Sequence, residues 1–240
     1  MNTLTKGECL YEGKAKRIYA TEEPEVLWVE YKDDATAFNG EKKDVLEGKG
    51  LLNNEISSII FSRLKEVGID SHFIKRLSSN EQLVQKVEIV PIEVVVRNVA
   101  AGSLVKRLGI ERGTAFSPAI LEFYYKDDDL GDPLMTEEHI RVMELATPEE
   151  LAQIKEIALH VNDRLKEIFK DIGIQLVDYK LEFGRDHTGE ILLADEISPD
   201  TCRLWDEKTG ESFDKDLFRF EQGNLQDGYT TILSRLGGNE

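Results

Sequence analysis

The stretch Leu176–Trp205, LVDYKLEFGRDHTGEILLADEISPDTCRLW, decides how the rest of the chain is read. Its first run alternates. Asp178, Lys180 and Glu182 fall on one face and Tyr179, Leu181 and Phe183 on the other, the two-residue period of a strand. Glu190–Ile197 is mostly apolar and of strand length, and Gly184–Gly189 between the runs is turn-like. The spacing predicts a β-hairpin. With its turn centred near His187 and Thr188, Lys180 lies opposite Asp195 and Glu182 lies diagonal to Asp195. Diagonal Cβ atoms sit roughly 7–8 Å apart or less. Two carboxylates so placed can share one hard cation, and Mg²⁺ takes one or two carboxylates and leaves its other positions to water and phosphate. A one-residue slip presents Glu196 in place of Asp195. A ladder of carboxylates offset by Lys180 would alternate in the same way without a metal.

Beyond the second strand, Ser198-Pro199-Asp200-Thr201 must leave the sheet, because proline lacks a ladder donor and restricts its predecessor. Arg203 follows, offering a planar fork to an anion beside the carboxylates. The competing reading is a structural arginine paired with Asp206 or another surface carboxylate.

With 240 residues the chain has room for one large domain or two small ones. Its 40% apolar and 32% charged residues place it among globular rather than disordered chains. No run approaches the ~18 apolar residues of a membrane helix, and MNTLTKGECLYEGK has no apolar signal core. A net charge of −17 argues against nucleic acid or an anionic membrane as partner. It leaves room for a small anionic ligand at a local basic cluster. Cys9 and Cys202 form no CxxC pair and read as reduced, buried thiols of a cytoplasmic protein.

Further along the chain, two strands meet near Gly13 in LYEGKAKRIY, where Lys14, Lys16 and Arg17 cluster beside backbone that a phosphate can approach. An exposed basic edge strand would look the same, and no P-loop pattern is present. Val26–Tyr31 reads as a strand, Ala35–Gly40 as a loop, and the stretch from Gly50 as a helix ended by Gly68. His72–Leu77 and Leu83–Val87 are strand-like. Glu88-Ile89-Val90-Pro91 reads as a crossing point between domains, a hinge whose peptide groups suit a flat ring such as adenine, and a strand over Ile92–Arg97 follows it. Gly102 and Ser103 open a short helix near Arg97, Lys106 and Arg107, with peptide N–H groups for an anion. After a strand over Leu121–Tyr125, Lys126-Asp127-Asp128-Asp129 reads as a solvated turn. Thr147-Pro148-Glu149-Glu150 starts a long helix with an apolar stripe from Leu151 to Ile172. Phe213–Leu236 gives two helical pieces broken near Gly223-Asn224. The pattern is α+β.

LYEGKAKRIY, IVPIEVVVRNVAAGS, LVDYKLEFG and DEISPDTCRLWD together resemble the motifs of the SAICAR synthetase (phosphoribosylaminoimidazole-succinocarboxamide synthase) family, from about Leu10 to the final helix. The resemblance implies a two-domain α+β fold, with residues 1–89 similar to a protein-kinase small lobe and 90–240 ATP-grasp-like, and with ATP between them. It implies a ligase of purine biosynthesis that joins L-aspartate to the carboxylate of carboxyaminoimidazole ribonucleotide (CAIR) through an acyl phosphate. The competing reading is another ATP-dependent enzyme on the same scaffold, such as a small-molecule kinase. Carried over by motif, Glu182 and Asp195 are Mg²⁺ ligands. Lys14, Lys16, Lys126 and the backbone of Glu88, Ile89 and Val90 hold ATP. Arg97, Ser103 and Arg203 hold the ribonucleotide, with Asp178 and Lys180 beside them at the chemistry. The loop Ala35–Gly40 and the segment near Asp132 are candidates for aspartate, and a homodimer is implied.

Overall fold

A computed structural model describes residues 4–37 and 41–237. The fold is α+β. The first half builds one antiparallel sheet from β1 (Cys9–Glu12), β2 (Lys16–Tyr19) and β3 (Val26–Tyr31), later joined by β6 (Phe73–Arg76) and β7 (Glu81–Gln85), in the order β1-β2-β3-β7-β6. Between β3 and β6 come a small hairpin, β4 (Asp34–Ala37) with β5 (Lys42–Val45), and helix α1 (Lys49–Glu66). The loop expected over Ala35–Gly40 is therefore a strand as far as Ala37. Ala35 and Ala37 are buried while Asp34 and Thr36 are half-buried, an alternation hidden by the smallness of its apolar residues. Phe38, Asn39 and Gly40 lie outside the described residues.

The second sheet contains β8 (Glu88–Val99), β9 (Ala115–Tyr125), β10 (Leu134–Met135), β11 (Ile174–Arg185), β12 (Ile191–Ala194) and β13 (Cys202–Asp206). Its order is β10-β9-β8-β11-β12, with β13 pairing β11 where β12 has stopped. Glu88 to Arg97 does not break at Pro91; β8 is one continuous strand. The ladder to β9 begins only at Ile92–Tyr125, and the pairing to β11 shifts register between Glu182 and Gly184, across from the proline. Pro91 thus sits where its missing N–H leaves the ladder intact.

Five helices complete the chain: α2 (Gly102–Leu108), α3 (Glu137–Val142), α4 (Pro148–Asp171), α5 (Asp216–Arg219) and α6 (Leu225–Arg235). Thr147 and Glu150 form the capping box expected at the start of α4. The stripe Leu151, Ile154, Ala158, Val161, Leu165 and Phe169 is buried against the second sheet, and Tyr179 donates its hydroxyl to the Ala158 carbonyl at 3.0 Å. Ile56, Ile60 and Leu64 of α1 belong to the same apolar cluster as Tyr229, Ile232 and Leu233 of α6. The two helices thus share the core of the second sheet, whereas Val29, Tyr31 and Val84 of the first sheet form a small cluster of their own.

The deciding hairpin forms, with its register one residue from the expected one. Glu182 pairs with Ala194 and Arg185 with Ile191, so the turn centres on Thr188. Asp186 causes the difference. Its Oδ1 accepts from the Thr188 amide (2.8 Å), the Thr188 hydroxyl (2.7 Å) and the Glu190 amide (3.0 Å), while Gly189 takes φ 88°. A loop of odd length closed by a left-handed glycine moves the ladder by one. Extended in this register, β12 would turn Glu196 rather than Asp195 toward Lys180. The strand ends first: Asp195 has φ 59°, and this left-handed residue breaks the alternation.

Candidate active site

A cavity of about 480 Å³ opens between the β1–β2 turn, β4, the polar face of β8 and β11, and the segment from Asp195 to Arg203. Because Asp195 is left-handed, it and Glu196 both line this cavity, with Glu182 and Glu93. Three ammonium groups sit among the four carboxylates. Lys180 Nζ donates to Glu93 (3.0 Å) and Glu182 and lies 3.6 Å from Asp195. Lys16 reaches across from β2 to Asp195 and to Glu196 (3.0 Å). Lys126 meets Glu182 at 2.9 Å. It is the first residue of the stretch expected as a solvated turn, but it points inward.

Burial works against the charges of Lys16 and Lys180, yet the neighbouring carboxylates outweigh it and hold both pKa values well above the ordinary lysine value. Burial also opposes the Asp195 carboxylate, and Lys16 and Lys180 overcome it, keeping its pKa far below normal. These directions keep Lys16, Lys180 and Asp195 charged at neutral pH. Glu182 and Asp195 share one cation in Lys180 Nζ, so both carboxylates face the same point of the cavity. No group of three or more acidic, histidine or cysteine side chains among the described residues forms a protein-only metal cage.

A second cluster lies along β11 and β13. Asp178, 3% exposed, accepts from Arg97 Nη1 at 2.7 Å and from Arg203 Nη1 at 3.0 Å. Arg97 also donates to Glu122 (2.7 Å), which Arg107 contacts too, and Arg203 donates to Asp216 (2.9 Å), which also holds Arg219. Arg203 is therefore not paired with Asp206, which is taken by Arg235. Burial opposes the charge on Arg203, but Asp178 and Asp216 raise its pKa further. Gly102, φ 57°, begins α2 directly against this guanidinium, and a Cβ there would lie 2.6 Å from Arg203 Nη2.

Of the residues singled out in the sequence, Lys14, Lys16, Arg97, Lys126, Asp178, Lys180, Glu182, Asp195 and Arg203 line the cavity. Lys14 is paired with Asp128 at 2.7 Å. Ser103 is exposed on α2 and does not line the cavity. Neither do Glu88, Ile89 and Val90, although on the β9 side their backbone precedes the first strand pair. Cys202 is a buried thiol whose pKa burial pushes up, whereas Cys9 is exposed, against the expectation of two buried thiols. Sequence reasoning missed Glu93, Lys215 and Arg219. Glu93 sits within the apolar run VPIEVVV, where a lone acid on a buried strand is a readable signal; Lys215 and Arg219 fall in a mixed-charge segment without a period.

A family model described as SAICAR synthetase matches residues 9–236. A phosphoribosylaminoimidazole-succinocarboxamide synthase of Shouchella clausii is 65% identical over 98% of this chain and 98% of its own length. The crystal structure of the phosphoribosylaminoimidazole-succinocarboxamide synthase from Ehrlichia chaffeensis superposes with a TM-score of 0.95 at 48% identity, covering 97% of this chain and 100% of that one. A SAICAR synthetase (type-2) in complex with ADP gives 0.93 at 50% identity, covering 96% and 98%. With a match that runs from β1 to α6 in sequence and in fold, the chain belongs to the SAICAR synthetase family.

Proposed function

We propose that the cavity holds ATP, the ribonucleotide CAIR and L-aspartate together and joins the last two. The chain is an ATP-dependent carbon–nitrogen ligase of purine biosynthesis. In this reading the CAIR carboxylate takes the terminal phosphoryl group of ATP, giving an acyl phosphate and ADP. The aspartate amine then attacks the acyl carbon, the new C–N bond forms, and inorganic phosphate leaves. The observation that carries the reading is the pair of adjoining charge clusters. One interleaves lysines with carboxylates and suits a metal–polyphosphate, while the other offers two pinned guanidiniums to the ribonucleotide's phosphate.

In the first cluster, Glu182 and Asp195 hold Mg²⁺, while Lys14, Lys16 and Lys126 meet the ATP phosphates. The metal offsets charge among anions that otherwise repel. Adenine lies on the backbone of Glu88–Val90, which a strand pairs on the β11 side only. In the second cluster, Arg97 and Arg203 grip the ribonucleotide, helped by Ser103 at the start of α2. Asp178 fixes both forks, so their geometry is set before the ligand arrives. Lys180, between the clusters, faces the carboxylate being activated. Residues 1–89 cover the nucleotide and 90–240 carry the metal and ribonucleotide sites. We place the enzyme in the cytoplasm and expect a homodimer.

Phosphate release from ATP in the presence of CAIR, with and without L-aspartate, tests the reading. Strong dependence on both is expected. Release or transfer of phosphate that ignores aspartate would instead identify a small-molecule kinase.

A further inference from the structure

Every other cationic side chain lining the cavity has a carboxylate oxygen within 2.9 Å, but Lys215 does not. Its nearest is Asp200 Oδ2 at 3.8 Å, outside hydrogen-bond reach, and its Nζ has no hydrogen bond among the described residues. Asp200 is already committed. Its Oδ2 accepts from the buried Lys49 of α1 at 2.6 Å, and its Oδ1 accepts from the Tyr229 hydroxyl of α6. One carboxylate thus faces two ammonium groups and is bonded to only one. Arg219, the other cation near Lys215, is held by Asp216 at 2.6 Å. Burial, with Lys49 and Arg219, lowers the Lys215 pKa, and Asp200 and Glu196 only partly offset this. A largely buried ammonium without its own counter-charge marks a place for an anion from outside.

The position narrows which anion. Asp200, beside Lys215, closely follows the Asp195–Glu196 pair in the chain, whereas Asp216 and Arg219 tie Lys215's other flank to Arg203. Lys215 therefore lines the cavity between the lysine–carboxylate cluster and the guanidinium pair, with room for a third and smaller substrate. The β4–β5 hairpin closes this corner. Lys42 donates to the Phe218 carbonyl at 2.7 Å, holding the hairpin on α5, and Thr36 and Ala37 line the same cavity.

We propose that Lys215 binds a carboxylate of L-aspartate and so selects the amine substrate, an inference that rests on the ligase reading above. The test is steady-state kinetics on the full chain with Lys215→Met and Lys215→Arg, varying ATP, CAIR and L-aspartate one at a time. In Lys215→Met the apparent KM for aspartate rises about tenfold or more, the scale of one lost charged hydrogen bond. The ATP and CAIR values stay within about twofold, and Lys215→Arg recovers part of the aspartate affinity. Hydroxylamine supplies the discriminating readout. It attacks an acyl phosphate without needing a carboxylate anchor, so hydroxamate formation in Lys215→Met stays at the wild-type rate. An unchanged aspartate KM, a matching loss with hydroxylamine, or a primary loss of CAIR or ATP affinity would each overturn the proposal. A wild type whose turnover ignores aspartate would instead overturn the ligase reading itself.

Discussion

The contact between Gly102 and Arg203 can be weighed against a control built into the same helix. Gly102 opens α2 at φ 57° and Gly109 closes it at φ 65°. An added Cβ at Gly109 meets nothing within 4 Å, whereas at Gly102 it would lie 2.6–2.8 Å from the Arg203 guanidinium. Alanine in the left-handed region costs about 1–2 kcal/mol at either position. Only Gly102→Ala also displaces Arg203. A flexible side chain normally yields to such a contact at small cost, but this one is pinned by Asp178 and Asp216. Giving up one of those charged hydrogen bonds adds roughly 1.5–3 kcal/mol. Gly102→Ala should therefore destabilise by about 2.5–5 kcal/mol and Gly109→Ala by only about 1–2 kcal/mol. Equilibrium urea unfolding of both variants measures the difference. Kinetics provide a second arm, because displacing Arg203 should raise the apparent KM for the ribonucleotide in Gly102→Ala and leave it unchanged in Gly109→Ala. Equal destabilisation in the two variants would refute the idea that Arg203 is held against α2.

Three further outcomes follow from the site. Glu182→Gln and Asp195→Asn each remove one charge from the acidic pair and should move the Mg²⁺ titration of activity to much higher concentration; an unchanged titration in both would dismiss them as metal ligands. Arg203→Lys keeps the charge but loses the planar fork, and should weaken ribonucleotide use about tenfold or more while ATP affinity stays near wild type; the separate apparent affinities decide it. The hydrogen bond from Arg185 holds the Glu150 carboxyl at a pKa of about 2, below its ordinary 4.5. Its folded pKa is depressed, so its contribution is present above pH 4.5 and lost as pH falls through about 2. The stability gap between wild type and Glu150→Gln, measured by urea unfolding, should narrow over that interval, and a gap independent of pH would contradict the assignment.

Wherever side chains carried a strong period, the fold was legible in the sequence. The stripe of α4, its capping box and the alternation of β11 needed no tertiary information, because 3.6- and two-residue periods are written in large apolar residues. β4 was not legible, since alanines alternate without a hydrophobic signal, and the exact hairpin register depended on hydrogen bonds from Asp186 that no period encodes. In the site, Asp178, Lys180 and Glu182 could be read because one strand face displays them together. Glu196 entered only through a possible slip, when in fact both it and Asp195 face the cavity. Lys126 looked like one more charge in a solvated turn, and its direction is set by the strand pairing of β9 with β8. Lys215 owes its character to Lys49, far away in the chain, having already taken Asp200.

The left-handed backbone at Asp195 restricts how this position can change over evolutionary time. A β-branched or bulky replacement must carry the conformational penalty whatever its chemistry, and asparagine and glycine, which tolerate that conformation, remove the carboxylate. Glutamate keeps the charge but places it one methylene further out, away from Lys16 and Lys180, and gains no help from the backbone. Aspartate is thus the one ordinary residue that combines tolerance of this conformation with a short negative arm. Substitution at Asp195 meets two independent filters, one steric and one electrostatic, and compensation for one does nothing for the other. Glu182, which is not in the left-handed region, meets only the second. Among variants selected for residual activity, exchanges at Glu182 should therefore be recovered more readily than exchanges at Asp195.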